Sequence, residues 1–173
     1  MNFKIFFMGL LGLGLFASVA DAAQPALHKM ALLNIEMEGD LSDTSHQSEW
    51  PYRLESLARH LREGFAANET YEMVSLAPAD EWFQSNKGRK SINDCKPCLT
   101  EIAKRVGADR IFAGKVIRMS NLVLFLQFAI VDATSGQIVM TKNLSFRGDN
   151  DQSWLRSAEF LIDEMKDIPP ESR

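Results

Sequence analysis

The sequence predicts an α/β domain of the α+β type: a mixed sheet of about five strands in the order β-α-β-α-β-β-β-α, with helices packed on one face. Three observations carry this reading. Early in the chain, two short apolar runs are each followed by apolar residues spaced three and four apart, the pattern of β-α units with parallel pairing. Between Arg110 and Phe146, three strand-like runs follow one another through connections too short for a crossover helix, so they pair antiparallel. An amphipathic stretch from Asp151 to Lys166 then supplies a last helix.

Composition agrees with one ordinary soluble domain. Of 173 residues, 46% are hydrophobic and 24% charged, outside the ranges of disordered, collagenous or disulfide-dense chains. A net charge of −4 and a pI near 5.4 give no electrostatic reason to expect nucleic acid or an anionic membrane as partner. Residues 1–22 read as a cleaved signal peptide. Lys4 is the positive start, Ile5 to Phe16 the apolar run, and Ala20-Asp21-Ala22 the small-residue site, with cleavage before Ala23. The apolar run is short of the roughly 20 residues a spanning helix needs. The mature chain is therefore expected to run from Ala23 to Arg173 as a single domain, exported to the periplasm and without stable membrane insertion.

In order along the chain, Lys29 to Met37 reads as a strand, and its Ala31-Leu32-Leu33 run points to burial on both faces. Gly39 to Glu49, rich in Ser, Asp and Thr, reads as a long mobile loop. From Pro51, Leu54, Leu57, Ala58, Leu61 and Phe65 fall on one helical face, and Asn68 is the expected left-handed helix end. Tyr71 to Leu76 is a short strand, and Pro78 opens a turn or short helix through Phe83. After a loop over Gln84 to Asn93, Asp94 is the expected cap of a helix from Cys95 that buries Leu99, Ile102, Ala103 and Val106 and stops at Gly107. Arg110 to Arg118, Leu122 to Val131 and Gln137 to Phe146 are the three later strands. The last two are joined by Asp132-Ala133-Thr134-Ser135-Gly136, which reads as a hairpin with a bulge. Pro169-Pro170 follows the final helix.

Gly107 to Arg118 (GADRIFAGKVIR) followed by Leu124 to Val139 (LFLQFAIVDATSGQIV) resembles the half-domain shared by the amino-terminal domain of TolB, the curli secretion protein CsgG and their relatives. The short mature length, exported address and Cys-x-x-Cys look most like a family of small bacterial exported proteins of unknown function that shares this fold. The resemblance implies an α/β domain used for protein–protein contact in the cell envelope, without catalysis. It also implies an accessory role beside periplasmic alcohol-oxidising quinoprotein systems. It carries over no functional residues.

Two features stand out as candidate sites. Cys95-Lys96-Pro97-Cys98 has the spacing of thiol–disulfide oxidoreductases, and a helix start stabilises a thiolate, so Cys95 as nucleophile and Cys98 as resolving thiol form one reading. The other is a structural disulfide formed after export. The pair follows a polar loop, not a buried strand, and no proline occurs between Cys98 and Pro169, which favours the structural role. His28, His46 and His60 show no ligand spacing to the pair, so no metal site is expected, nor any cofactor. The second feature is the strand Leu122 to Val131, apolar on both faces. If helices cover one face, Val123 and Phe125, with Gln127 beside them, are left for a partner, and they are the possible interface. His46 and His60 lack a nucleophile in their own segments, and Lys87-Gly88-Arg89-Lys90 reads as a solvated loop tip.

The function expected is thus non-catalytic binding in the envelope, with a protein partner or a homo-oligomer. Thiol–disulfide exchange at Cys95 and Cys98 is one alternative. Binding of a small ligand in a cleft beside the Ser42 to Glu49 loop is the other.

Overall fold

The computed structural model describes residues 27–169 and Ser172; the expected signal segment, residues 1–22, and Pro170 lie outside the described residues. The elements are β1 (Lys29–Leu32), β2 (Glu36–Gly39), α1 (Trp50–Ala67), β3 (Glu72–Met73), α2 (Asp80–Ser85), α3 (Lys96–Val106), β4 (Arg110–Arg118), β5 (Val123–Asp132), β6 (Ile138–Arg147) and α4 (Asp151–Lys166), with a 3₁₀ turn at Ala77–Ala79 ahead of α2. The sheet order is β3-β1-β4-β5-β6, and β2 also lies along β4, so six strands occupy five positions. β1 pairs parallel with β3 and β4, and β2 parallel with β4, whereas β4-β5-β6 is an antiparallel meander. This is the mixed sheet of α/β character that the sequence predicts.

Local chemistry explains most of the boundaries. Pro51 sits in the first turn of α1, where its missing N–H has no helical partner. Asn150 caps α4 by accepting the Ser153 N–H at 3.1 Å. Gly107 ends α3 at φ +67°, and Gly136 takes φ +67° in the β5–β6 turn, where Asp132 accepts the Ser135 N–H at 2.8 Å.

Several boundaries differ from expectation. The strand over Lys29 to Met37 is interrupted: Leu32 pairs with Phe112 but Glu36 with Lys115, so this side holds one residue more than β4, a bulge centred on Leu33 to Ile35. The left-handed residue after α1 is Glu69 (φ 51°), while Asn68 has φ −93°. The strand expected over Tyr71 to Leu76 shrinks to Glu72–Met73, since β1 offers only a short edge to pair with.

Strand alternation sends side chains to two cores. On one face Met30, Leu32, Phe112, Leu126 and Phe128 meet α1 and α4, with Phe112 and Phe128 stacked at 4.7 Å between ring centroids. Burying one such side chain contributes about 1.5–3 kcal/mol. α1 and α4 approach closely at Gly64, where a Cβ would fall 2.3 Å from Ile162 Cδ1. On the other face, Ala31, Leu33, Ile111 and Ala113 receive Leu99 and Ile102 of α3 and Trp82 of α2. Helices on one face is therefore corrected to helices on both. The small Ala31 and Ala113 let α3 approach, and β1, buried on both sides, requires that cover. α3 spans only 11 residues, so it covers the β1 side of this face and leaves the far half of β4, β5 and β6 open.

Candidate functional site

The open half of the sheet is where the expected interface residues fall. Val123, Phe125 and Gln127 alternate with the fully buried Leu124 and Leu126, and all three stand half-buried on the part of the α3 face that no described helix covers. β4 brings Ile117 opposite Phe125 and Lys115 opposite Gln127. The Met119 N–H donates to the Val123 carbonyl at 3.0 Å, which places Met119, 60% exposed, beside Val123. Ile117, Met119, Val123 and Phe125 thus form an apolar quartet, with Leu122, 70% exposed, at its end. β6 adds Asn143, Ser145 and Arg147 across from Gln127, Phe125 and Val123.

The other rim is ionic. The Lys115 ammonium lies 3.0 Å from Asp94 and 3.3 Å from Glu38. Burial works to lower its pKa, but hydrogen bonds to the two carboxylates outweigh it and raise the pKa above the ordinary value. An apolar centre with a polar rim is the layout of a binding surface. Sequence reasoning named Val123, Phe125 and Gln127 but missed Ile117 and Met119. The alternation Lys115, Ile117, Met119 was the available signal.

The cysteine turn borders this face. The Glu36 carboxylate accepts the Ser91 hydroxyl at 2.6 Å and the Ile92 N–H at 2.9 Å, and the Asn93 amide donates to the Gly114 carbonyl at 2.6 Å. These bonds hold the loop after α2 against β2 and β4. The Cys95 and Cys98 sulfurs lie at bonding distance. Cys98 is buried and Cys95 half-buried. The cap of α3 is Cys95, whose sulfur accepts the Cys98 N–H at 3.3 Å; Asp94, expected there, is turned to Lys115 instead. A free thiolate at this position would gain from the helix start. The solvated tip expected at Lys87 to Lys90 is exposed.

A third arrangement escaped the sequence reading. Asp149, buried, accepts the indole N–H of Trp50 at 2.9 Å and of Trp154 at 3.0 Å, and lies 3.0 Å from the Arg53 and 3.4 Å from the Arg118 guanidinium. Arg53 also reaches Asp151 at 2.8 Å and Glu49. Arg118 donates to the Asp40 carbonyl at 2.5 Å and to Asn121, and its guanidinium lies over the Trp50 ring. Both arginines are at least 95% buried, against the usual rule for charged residues. Their positions were legible: Arg53 lies on the apolar stripe of α1, and Arg118 shares the parity of Phe112 and Val116 in β4.

This network ties down the Gly39 to Glu49 segment, expected to be a free loop. Asp43 accepts the Asn121 amide at 2.5 Å and the Ser45 N–H at 3.0 Å. The Ser45 bonds and the Asn121 amide pull its carboxyl from 3.8 down to about 2, so it is ionised throughout the neutral range. Where the segment ends, a cleft of about 300 Å³ lies between the starts of α1 and α4, edged by Tyr52 and Leu155. Its buried cation, Arg53, already faces Glu49, Asp149 and Asp151, which leaves little charge to recognise a ligand.

Among the described residues, no helix is long and apolar enough to cross a membrane. No curated protein matches the chain. Its fold is similar to that of the LpoB C-terminal domain from Escherichia coli, with a TM-score of 0.53 at 15% identity over 73% of this chain and 87% of that one. The lipoprotein GNA1162 from Neisseria meningitidis is similar with a TM-score of 0.50 at 18% identity, over 83% of this chain and 98% of that one. The LpoB C-terminal domain from Salmonella enterica gives 0.51 at 15% identity, over 72% and 85%. At such identities the likeness is one of fold. Residues 28–165, nearly the whole folded part, match the DUF3280 family model, described as a protein of unknown function (DUF2380), and the chain belongs to that family.

Proposed function

We propose that this protein is a non-catalytic binding domain of the bacterial cell envelope, exported by its first 22 residues, that engages a protein partner through the uncovered sheet face around Val123, Phe125 and Gln127. The observation that carries the reading is the apolar quartet left open on one face of a sheet whose other face is closed by α1 and α4. A half-buried phenylalanine in such a quartet, next to the exposed Met119 and Leu122, gains from completing its desolvation against a partner. The fold shared with a lipoprotein supports an envelope setting. The relation to TolB and CsgG rests on the motifs of Gly107 to Arg118 and Leu124 to Val139, and the link to an oxidation system rests on that resemblance alone.

The test is affinity capture of the tagged chain from the periplasm of its own host, beside Phe125→Asp. A partner recovered in near-equal amount by the unaltered chain and lost from Phe125→Asp, with the thermal midpoint of the variant preserved, is the expected result. Equal recovery by both, or a bare chain from both, overturns the reading.

Cys95 and Cys98 are assigned a structural disulfide bordering that face. Because it closes a very short loop, the double variant Cys95→Ser/Cys98→Ser is expected to lose about 1–2 kcal/mol in urea denaturation and to capture the same partner. The half-buried Cys95 at a helix start keeps the thiol–disulfide reading as the second one. A double variant that folds with unchanged stability yet loses its partner moves the assignment to redox chemistry.

A further inference from the structure

β6 is an edge strand: it pairs with β5 on one side, and no described strand pairs with the other. The Gly148 N–H donates to the Leu122 carbonyl at 3.2 Å, which makes 122 and 148 a hydrogen-bonded pair. Alternation along the antiparallel ladder then turns the backbone groups of Lys142, Leu144 and Phe146 toward β5, and those of Thr141, Asn143, Ser145 and Arg147 outward. Those four residues are the exposed ones in this stretch. Native edges of this length are ordinarily blunted by a proline, a bulge, charged side chains or a covering segment, and of these, among the described residues, β6 carries only the charges, Lys142 and Arg147. Here the irregularity falls at Ile130/Val131, beside the hairpin turn, and Thr141 to Arg147 is a regular ladder with an open side.

A groove of about 410 Å³ runs between this edge and α4. Its apolar wall includes Leu144 and Phe160, the latter 51% exposed. Its charges are Arg147 and Arg156, both solvent-facing, and no carboxylate lines it. Lys142, on the same strand, is already paired with Glu164 at 3.0 Å. In a chain of net charge −4, this is a local reversal of sign.

We propose that the β6 edge takes an extended acidic segment of another protein as an added strand. The outward backbone groups supply the main-chain bonds. Alternate side chains of the added strand fall on the two faces of the sheet. On the face toward α4, apolar ones meet Leu144 and Phe160, with Arg156 beside them; on the opposite face, acidic ones meet Arg147, which stands across from Val123. A second copy of this chain is a poorer occupant, because it brings the Lys142 and Arg147 of two basic strands onto one ladder. The proposal does not depend on the quartet around Phe125, so Phe125→Asp leaves it standing.

The test titrates the chain from Ala23 to Arg173 against two fluorescein-labelled, capped peptides of about eight residues, a length typical of strands. One alternates valine with glutamate and the other valine with lysine. Fluorescence anisotropy at low ionic strength, where screening is weak, is expected to show the glutamate peptide binding at least about tenfold more tightly. The charge-reversed pair Arg147→Glu/Arg156→Glu is expected to invert that preference. Asn143→Pro removes one outward N–H and no bond to β5; it is expected to abolish binding while the thermal midpoint stays in place. Should that variant unfold, the charge-reversed pair carries the test, since both guanidiniums face solvent. Absence of saturable binding below roughly 1 mM, equal binding of the two peptides, or undiminished binding to a folded Asn143→Pro overturns the proposal. So does a concentration-dependent dimer that Asn143→Pro dissolves, which would give the edge to a second copy.

Discussion

Asp149→Ala is expected to remove about 3–5 kcal/mol of stability, the cost of breaking a buried ion pair from one side. The substitution leaves the Arg53 and Arg118 guanidiniums buried without the carboxylate between them, and it strips the Trp50 and Trp154 indoles of their acceptor. Against a total stability of roughly 5–15 kcal/mol, typical of single domains, such a loss is a fifth or more. Urea denaturation followed by tryptophan fluorescence reads it directly, because two of the three tryptophans stand at the site. Asp149→Asn keeps one acceptor oxygen and the shape, so its loss is expected to be smaller. A midpoint within 1 kcal/mol of the unaltered protein (about fivefold in the folding equilibrium) for Asp149→Ala would show that Asp151, Glu49 and Asp43 compensate the arginines on their own.

Gly39→Ala is expected to act on the same corner from the backbone side, at a cost of about 3 kcal/mol or more. Gly39 ends β2 at φ +98°, a conformation that L residues rarely adopt. An alanine Cβ there would fall 2.2 Å from the Arg118 carbonyl oxygen, a backbone atom that cannot swing aside. β2 must then lift from β4, and the bond from Arg118 to the Asp40 carbonyl goes with it. The check is the thermal midpoint together with amide exchange at Asp40, whose N–H donates to the Arg118 carbonyl at 2.8 Å. A Gly39→Ala protein with an unaltered midpoint and a protected Asp40 amide would mean that the bend is absorbed elsewhere.

Both substitutions fall on groups whose role is invisible in local pattern. Gly39 reads in sequence as the start of a polar loop, and Asp149 as one more loop carboxylate between a strand and a helix. Their importance comes from partners up to about a hundred residues away, such as Trp50 and Asp149 at a separation of 99. Local periodicity holds no information at that range.

Periodicity did serve well where burial follows one rule along a segment. Arg110 to Arg118 and Asp151 to Lys166 fall where their apolar patterns place them: α4 presents one stripe to one core, and the start of β4, lying between two cores, is a short run apolar on both faces. The β5–β6 turn was legible for the same kind of reason: Asp132 and Gly136 act within five residues of each other. The candidate interface was half legible. The two apolar faces of β5 marked Val123 and Phe125, but Ile117 and Met119 joined them only through cross-strand register.

The sequence by itself determined the mixed sheet, the order of its elements, the helix that the cysteine pair opens and the strand whose second face is apolar, since each depends on hydrophobic spacing or on turn chemistry within a few residues. The tertiary structure alone decided which faces the helices cover, the buried arginine–aspartate network and the open edge of β6. Those features depend on register, on crossover geometry and on contacts between distant segments, where a charged residue is stable in the interior only because folding brings its counter-charge to it.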